Sequence, residues 1–305
     1  MQLRKTLGMC VQFLILAVSV VILQVCVARI MDQQFMSLMP AGPAPAGASA
    51  AVALGALIVA RTCQAITLGI IALRSRWAGW KLAATLSFVQ FTIETFLSQI
   101  ESIVFLTGPL NVNNMTMGAV EILILRGIVF SALIGPLTVL VMGKARSGCE
   151  RGNEQLNPNR PAGAWARRLI IIVVAYVFIY VGFGMFVARP LAGPAFYVYY
   201  KDLKMPAWIL PVQMIRALVW TTAALPVVSM SKGKRWEAVL SIGFLFSMLM
   251  GIMLIVPNPL MPDPIRRAHL VELLTSNFTF GCLVGYVLTA QPTPQTGAGQ
   301  LRRAF

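Results

Sequence analysis

The chain has 305 residues, 58% hydrophobic and 11% charged, with 25 Lys and Arg against 10 Asp and Glu. Such a composition excludes an ordinary soluble domain and makes a bilayer the main solvent. The net charge of +15 does not point to nucleic acid, because the cations lie between apolar runs, where Lys and Arg mark the cytoplasmic side and favour anionic head groups.

A first apolar run covers 7–28, behind Arg4 and Lys5. It is too long for a secretory signal, has no small-x-small cleavage site after it, and reads as a spanning helix. Further runs cover 50–73, 82–106, 118–142, 169–187, 208–230, 238–256 and 269–289. Each is long enough to cross about 30 Å of hydrocarbon at about 1.5 Å per residue. The expected fold is therefore an all-α polytopic membrane protein of about eight transmembrane helices.

The connections alternate in charge. One set holds Arg4 and Lys5, Arg74 and Arg76, the basic stretch 144–168, Lys232, Lys234 and Arg235, and Arg302 and Arg303. By the positive-inside rule this set is cytoplasmic, with both termini, in a cytoplasmic (inner) membrane. The other set is rich in Pro, Gly and Ala. Within it Phe196, Tyr197, Tyr199, Tyr200 and Trp208 read as an interfacial aromatic belt with a short in-plane segment.

Four landmarks recur in order: Val27-Ala28-Arg29 with Val187-Ala188-Arg189, Arg61 with Arg216, Arg76-Trp77 with Arg235-Trp236, and Val120-Glu121 with Val271-Glu272. Their offsets are 160, 155, 159 and 151 residues. This points to an internal repeat of two similar four-helix halves, 1–146 and 169–305, joined by a basic cytoplasmic linker at 147–168. An even helix count per half gives both halves the same orientation.

Chemistry is expected where ionisable residues interrupt the apolar runs, since each costs a few kcal/mol unless paired, turned inward or hydrated. Ser87, Gln90, Glu94, Ser98 and Glu101 follow α-helical spacing and form one stripe. His269, Glu272, Ser276 and Thr279 form another, with Asn277 off that face. Arg61 lies one turn from Gln64, Gln213 one turn from Arg216, and Glu121 and Arg126 lie on different faces of one segment.

Guanidinium groups bind carboxylates and phosphates bidentately, and a buried carboxylate can carry a proton. Arg61, Gln64, Arg126, Gln213 and Arg216 are accordingly the expected binding residues, in one polar cavity open to the non-cytoplasmic side. Gln90, Glu94, Ser98, Glu101, Glu121, His269 and Glu272 are the expected coupling or gating residues. The partners would be membrane lipids, with an anionic head group or small anion as ligand and no nucleic acid.

No cofactor or metal is expected. The five cysteines form no C-x-x-C, and His269 is the one histidine, which leaves a metal centre short of ligands. H-E-x-x-H, G-x-S-x-G and P-loop signatures are absent. The reading is a transporter or lipid-handling protein. The alternatives are an assembly protein whose Arg–Glu pairs only specify packing, or an intramembrane enzyme using Glu272 and His269 as acid and base.

Overall fold

The computed structural model describes residues 2–38, 49–107, 115–146, 156, 160–201, 203, 206–258 and 261–290. Of the expected linker 147–168 the stretches 147–155 and 157–159, and with them most of the Pro/Ala/Gly connection at 41–50, Arg302 and Arg303, lie outside these residues. Every named element is a helix, and the described residues contain no strand beyond one isolated bridge between Ser75 and Ser231.

The helices are α1 (Gln2–Leu38), α2 (Ala50–Leu73), α3 (Gly79–Gln90), α4 (Leu97–Glu101), α5 (Met117–Val141), α6 (Ala162–Phe183), α7 (Arg189–Ala192), α8 (Pro194–Tyr199), α9 (Ile209–Met230), α10 (Arg235–Met250) and α11 (Asp263–Thr289). Six helical stretches are long and apolar enough to cross a membrane: Thr6–Met31, Ala50–Leu73, Met117–Val141, Ala162–Ala192, Ile209–Met230 and Asp263–Thr289. The remaining two expected segments are helical but interrupted. Residues 79–107 pass through π turns at Phe91–Phe96 and Ser102–Thr107, and α10 tightens into a 3-10 turn at Ile252–Ile255.

Two boundaries differ from the sequence reading. The first helix runs well beyond residue 28, and α6 starts at Ala162, inside the stretch read as linker. The stretch read as an in-plane segment holds the short helix α8, while α7 continues the spanning stretch that ends at Ala192. Gly193 separates them at φ +56, a left-handed conformation that any side chain would strain.

α1 packs on α2 and α5, and α3 packs on α5. Likewise α6 packs on α9 and α11, and α10 packs on α11. Between these groups α2 touches α10 and α3 touches α9. Leu68, Ile93, Leu97, Trp220, Phe246 and Phe280 fill the resulting core.

Small residues set the closest approaches. Gly127 lies against Thr95 and Gly135 against Ser87 and the Ala83 carbonyl, where α5 meets residues 79–107. Gly281 and Gly285, the G-x-x-x-G of the last segment, lie against Gly243 and Val239 of α10, which is how such motifs bring backbones together.

One end of the bundle gathers the cations. Arg76 donates its backbone N–H to the Met230 carbonyl at 2.8 Å, and Lys232 returns one to the Arg74 carbonyl at 2.9 Å. Lys144 Nζ donates to the Ser75 carbonyl at 3.0 Å. Arg160, Arg168 and Arg235 donate to backbone carbonyls among Tyr286, Val287, Leu288 and Ala290. Val287 and Leu288 lie in the last turn of α11, whose carbonyls lack helical donors and form the negative end of its dipole, while the Tyr286 carbonyl also accepts from the Ala290 N–H at 3.0 Å.

A side chain at Gly281 would place its Cβ 2.6 Å from the Ile242 carbonyl and 2.8 Å from the Gly243 Cα, whereas one at Gly55 meets nothing within 4 Å. Gly281→Leu is therefore expected to collapse the yield of monodisperse protein, while Gly55→Leu leaves it unchanged. Size-exclusion fluorescence of detergent extracts checks this.

Candidate functional site

Arg61 on α2 is 4% exposed, so its charge is met by protein rather than by water. Its Nη1 donates to Glu94 Oε1 at 2.7 Å, to Glu94 Oε2 at 2.9 Å and to Gln64 Oε1 at 2.5 Å, and its Nη2 donates to Gln24 Oε1 of α1 at 2.6 Å. The guanidinium also lies over the Phe130 ring of α5, 4.3 Å from its centroid. Gln90 Nε2 donates to Glu94 Oε2, and Gln64 Nε2 donates to the Met248 carbonyl of α10 at 3.3 Å. Both oxygens of Glu94 and both terminal nitrogens of Arg61 are therefore engaged.

Arg216 on α9 is buried as deeply, at 2% exposed, but is less fully satisfied. Its Nη1 meets Glu101 Oε1 at 2.5 Å and donates to Gln213 Oε1 at 2.8 Å. Its carbon centre lies 5.9 Å from the Tyr176 ring centroid on α6. Its buried Nε, like that of Arg61, has no acceptor, and no described residue accepts from Nη2. The amide nitrogens of Gln213 and Asn277 are also buried without an acceptor.

Arg216 and Asn277 border a cavity of about 10 Å³, lined also by Glu101, Tyr176, Tyr180 and Glu272, with Gln213 held beside it by its bond to Arg216. That is room for about one water molecule. Beyond the cavity, Glu272 Oε2 lies 2.8 Å from His269 Nδ1, and His269 Nε2 lies 2.7 Å from the Tyr200 hydroxyl. Burial raises the Tyr200 phenol above its ordinary value, and Tyr199 and the carboxylates of Glu272 and Glu101 add to the shift. Tyr200 therefore holds its proton at neutral pH.

The expected residues thus divide between two clusters. Arg61 and Gln64 join Gln90 and Glu94, and Gln213 and Arg216 join Glu101, with Glu272 and His269 across the cavity. A low-dielectric interior gives each guanidinium its own carboxylate. Ser98 Oγ sits 3.4 Å from Met250 Sδ. Glu121 is exposed near the start of α5, and Arg126 is half-buried one turn before Phe130. Arg266, in the first turn of α11, is held by Asp263 and by the carbonyls of Leu254 and Ile255.

Two details differ from the helical-wheel reading. Glu94 sits inside one π turn and Glu101 directly before the next, so the third segment is not a uniform α-helical stripe. π turns widen a helix by one residue and recur at functional sites. On α11 Asn277 lines the cavity while Thr279 is exposed. The buried row runs Glu272, Ser276, Phe280, Val284, along the i, i+4 ridge that obliquely crossing neighbours contact.

Gln24, Tyr176, Tyr180 and Tyr200 carry site contacts that the sequence did not single out. The signal for Gln24 was a lone amide in an apolar run. Tyr200 was hidden among the aromatics of the belt.

Among the described residues no cluster of three or more His, Cys, Asp or Glu could hold a metal ion. Compared with protein-family models, curated proteins and solved structures, the chain matches none.

Removing one partner of a buried ion pair strands the other, at a cost of about 3–5 kcal/mol. Arg61→Ala is expected to destabilise the bundle by that order, and Arg61→Met combined with Glu94→Gln to recover most of the loss. Thermal unfolding in detergent measures both.

Proposed function

We propose that the protein is a multi-pass transporter or lipid-handling protein of the cytoplasmic membrane, binding an anionic group at Arg216, Gln213 and Asn277 in a cavity that opens to the non-cytoplasmic side. In this reading residues 79–107 and 235–255 span the membrane beside the six longer stretches, giving eight segments. The gathering of Arg74, Arg76, Lys144, Arg160 and Arg235 at one end supports a cytoplasmic placement of that end and of both termini.

Two four-helix halves of like orientation are supported by the matched packing. The partners of α1, α2, α3 and α5 correspond to those of α6, α9, α10 and α11, and the contacts of α2 with α10 and of α3 with α9 exchange under the same correspondence. The reciprocal hydrogen bonds flanking Ser75 and Ser231 fit an axis passing between the halves, along the membrane normal.

One observation carries the reading: a surplus of buried donors around the cavity. Arg216 Nε, Gln213 Nε2 and Asn277 Nδ2 lack acceptors, and unsatisfied buried donors are unfavourable unless something accepts from them. An oxyanion supplies several acceptors at once and the charge that suits a guanidinium. Glu101 occupies one edge of Arg216 and acts as the resident competitor. A cavity of about 10 Å³ is the closed state, so admitting a phosphate or carboxylate requires α9 and α11 to move apart.

Around Arg61 the packing reading is the better one. Its terminal nitrogens are all engaged, and the cluster ties α1, α2, the π turn after α3 and α10 together. There the Arg–Glu pair specifies which helices meet.

Glu101→Gln removes the competing charge while keeping the side-chain shape. It is expected to tighten binding at neutral pH at least tenfold, and Arg216→Gln to abolish it. The probes are inorganic phosphate and a phosphatidylglycerol-containing nanodisc, read by the shift in melting temperature and by native mass spectrometry. Retention of the lipid alone assigns a head-group site, and a shift with phosphate alone assigns a free anion. A wild type or a folded Glu101→Gln protein that binds neither, or a folded Arg216→Gln protein that still binds, overturns the proposal.

A further inference from the structure

Tyr200, His269 and Glu272 form a continuous hydrogen-bonded row from the loop after α8 to the cavity wall. Tyr200 Oη lies 2.7 Å from Nε2 of the imidazole, and Nδ1 lies 2.8 Å from Glu272 Oε2. One arrangement makes both contacts hydrogen bonds with a neutral ring and an ionised carboxylate: Nδ1–H donates to Glu272 and Nε2 accepts from the phenol. His269 is half-buried, whereas Glu272 is buried.

We infer that this row is a proton path from the non-cytoplasmic face to the cavity, and that the proton it delivers controls the Arg216–Glu101 pair. The inference rests on the anion-binding reading for its consequence but not for its own geometry. A proton from outside water joins the Tyr200 oxygen as the phenolic proton passes to His269 Nε2 and the Nδ1 proton passes to Glu272. Phenol and imidazole end neutral, the carboxylate has become a carboxylic acid, and only O–H and N–H bonds have been exchanged.

Glu272 and Glu101 line the same cavity, which has room for a bridging water. Through it the proton reaches Glu101, whose neutral form no longer offsets the Arg216 charge. The guanidinium is then free for an anion, and one proton enters for each negative charge bound.

The surroundings of the row favour transfer along it. Arg266 on its own helix is engaged by Asp263 and two backbone carbonyls. Arg189 of α7 donates to the Tyr197 hydroxyl at 2.8 Å. From α6 come the neutral phenols Tyr176 and Tyr180, and from α9 Arg216, already paired with Glu101. Tyr199 stacks edge-on against Tyr200. The nearest described residues of α10 and its 3-10 turn offer Met250 and backbone carbonyls, with no titratable group.

The test follows the carboxylic-acid C=O stretch by time-resolved infrared spectroscopy after a pH drop, in vesicles of uniform orientation and without any anionic ligand. The Glu272 band is identified by its loss in Glu272→Gln. Wild type is expected to gain it when the α8 side is acidified. Tyr200→Phe keeps the ring but removes the relay oxygen, and is expected to slow the rise at least tenfold while leaving its final amplitude unchanged. His269→Gln is expected to slow it further.

Unchanged rates in folded Tyr200→Phe and His269→Gln protein overturn the path, as does a band that rises equally fast from the basic end. If His269→Gln does not fold, Tyr200→Phe decides alone. A changed amplitude at unchanged rate marks a merely structural role and also overturns it. Because no anion is present, failure of the anion-binding proposal leaves this measurement readable.

Discussion

A guanidinium inside a helical bundle keeps its charge at any attainable pH, so the chain around it must bring a carboxylate and further acceptors to meet it. Arg61 and Arg216 impose that requirement, and much of the helix arrangement answers it. The segment 79–107 supplies both counter-charges and so lies between α2 and α9. Amide oxygens complete the shells, from Gln24 and Gln64 on one side and Gln213 on the other. Apolar packing fills the remaining volume, but in lipid it does not choose among apolar neighbours, whereas the arginines do.

The two arginines meet the requirement unequally. Arg61 has every terminal nitrogen bonded and an aromatic ring beneath it, so moving any of its four helices would expose an unmet charge. Arg216 has one partner carboxylate, one amide and donors to spare, beside a carboxylate that is 27% exposed. In a low-dielectric setting a spare donor is a strong attractor for whatever acceptor arrives.

Six of the spanning runs and the gathering of basic residues at one end were legible in the sequence, because each follows from hydropathy or charge along one helix. The pairing of Arg61 with Glu94 and of Arg216 with Glu101 was not. Sequence periodicity says which face of a helix is polar, never which neighbour it meets. Asn277 was misplaced for a related reason, since a straight wheel ignores the oblique crossing of α11 by its neighbours. Tyr200 escaped because an interfacial aromatic and a tyrosine hydrogen-bonded to a histidine look identical until His269 is seen beside one of them.

The π turn at Phe91–Phe96 carries a consequence for how the sequence can diverge. A helix that accommodates one residue more than an α turn holds its downstream portion rotated by about 100° relative to an uninterrupted α-helix. Loss of a single residue from this stretch would leave an ordinary α turn with Glu101 facing much as it does, whereas drawing the same residues into an uninterrupted α-helix would swing Glu101 to another side of the bundle and leave Arg216 without its counter-charge. A substitution at Ile93 or Phe96 that tightens the turn can therefore reach the Arg216–Glu101 pair although both residues are still encoded.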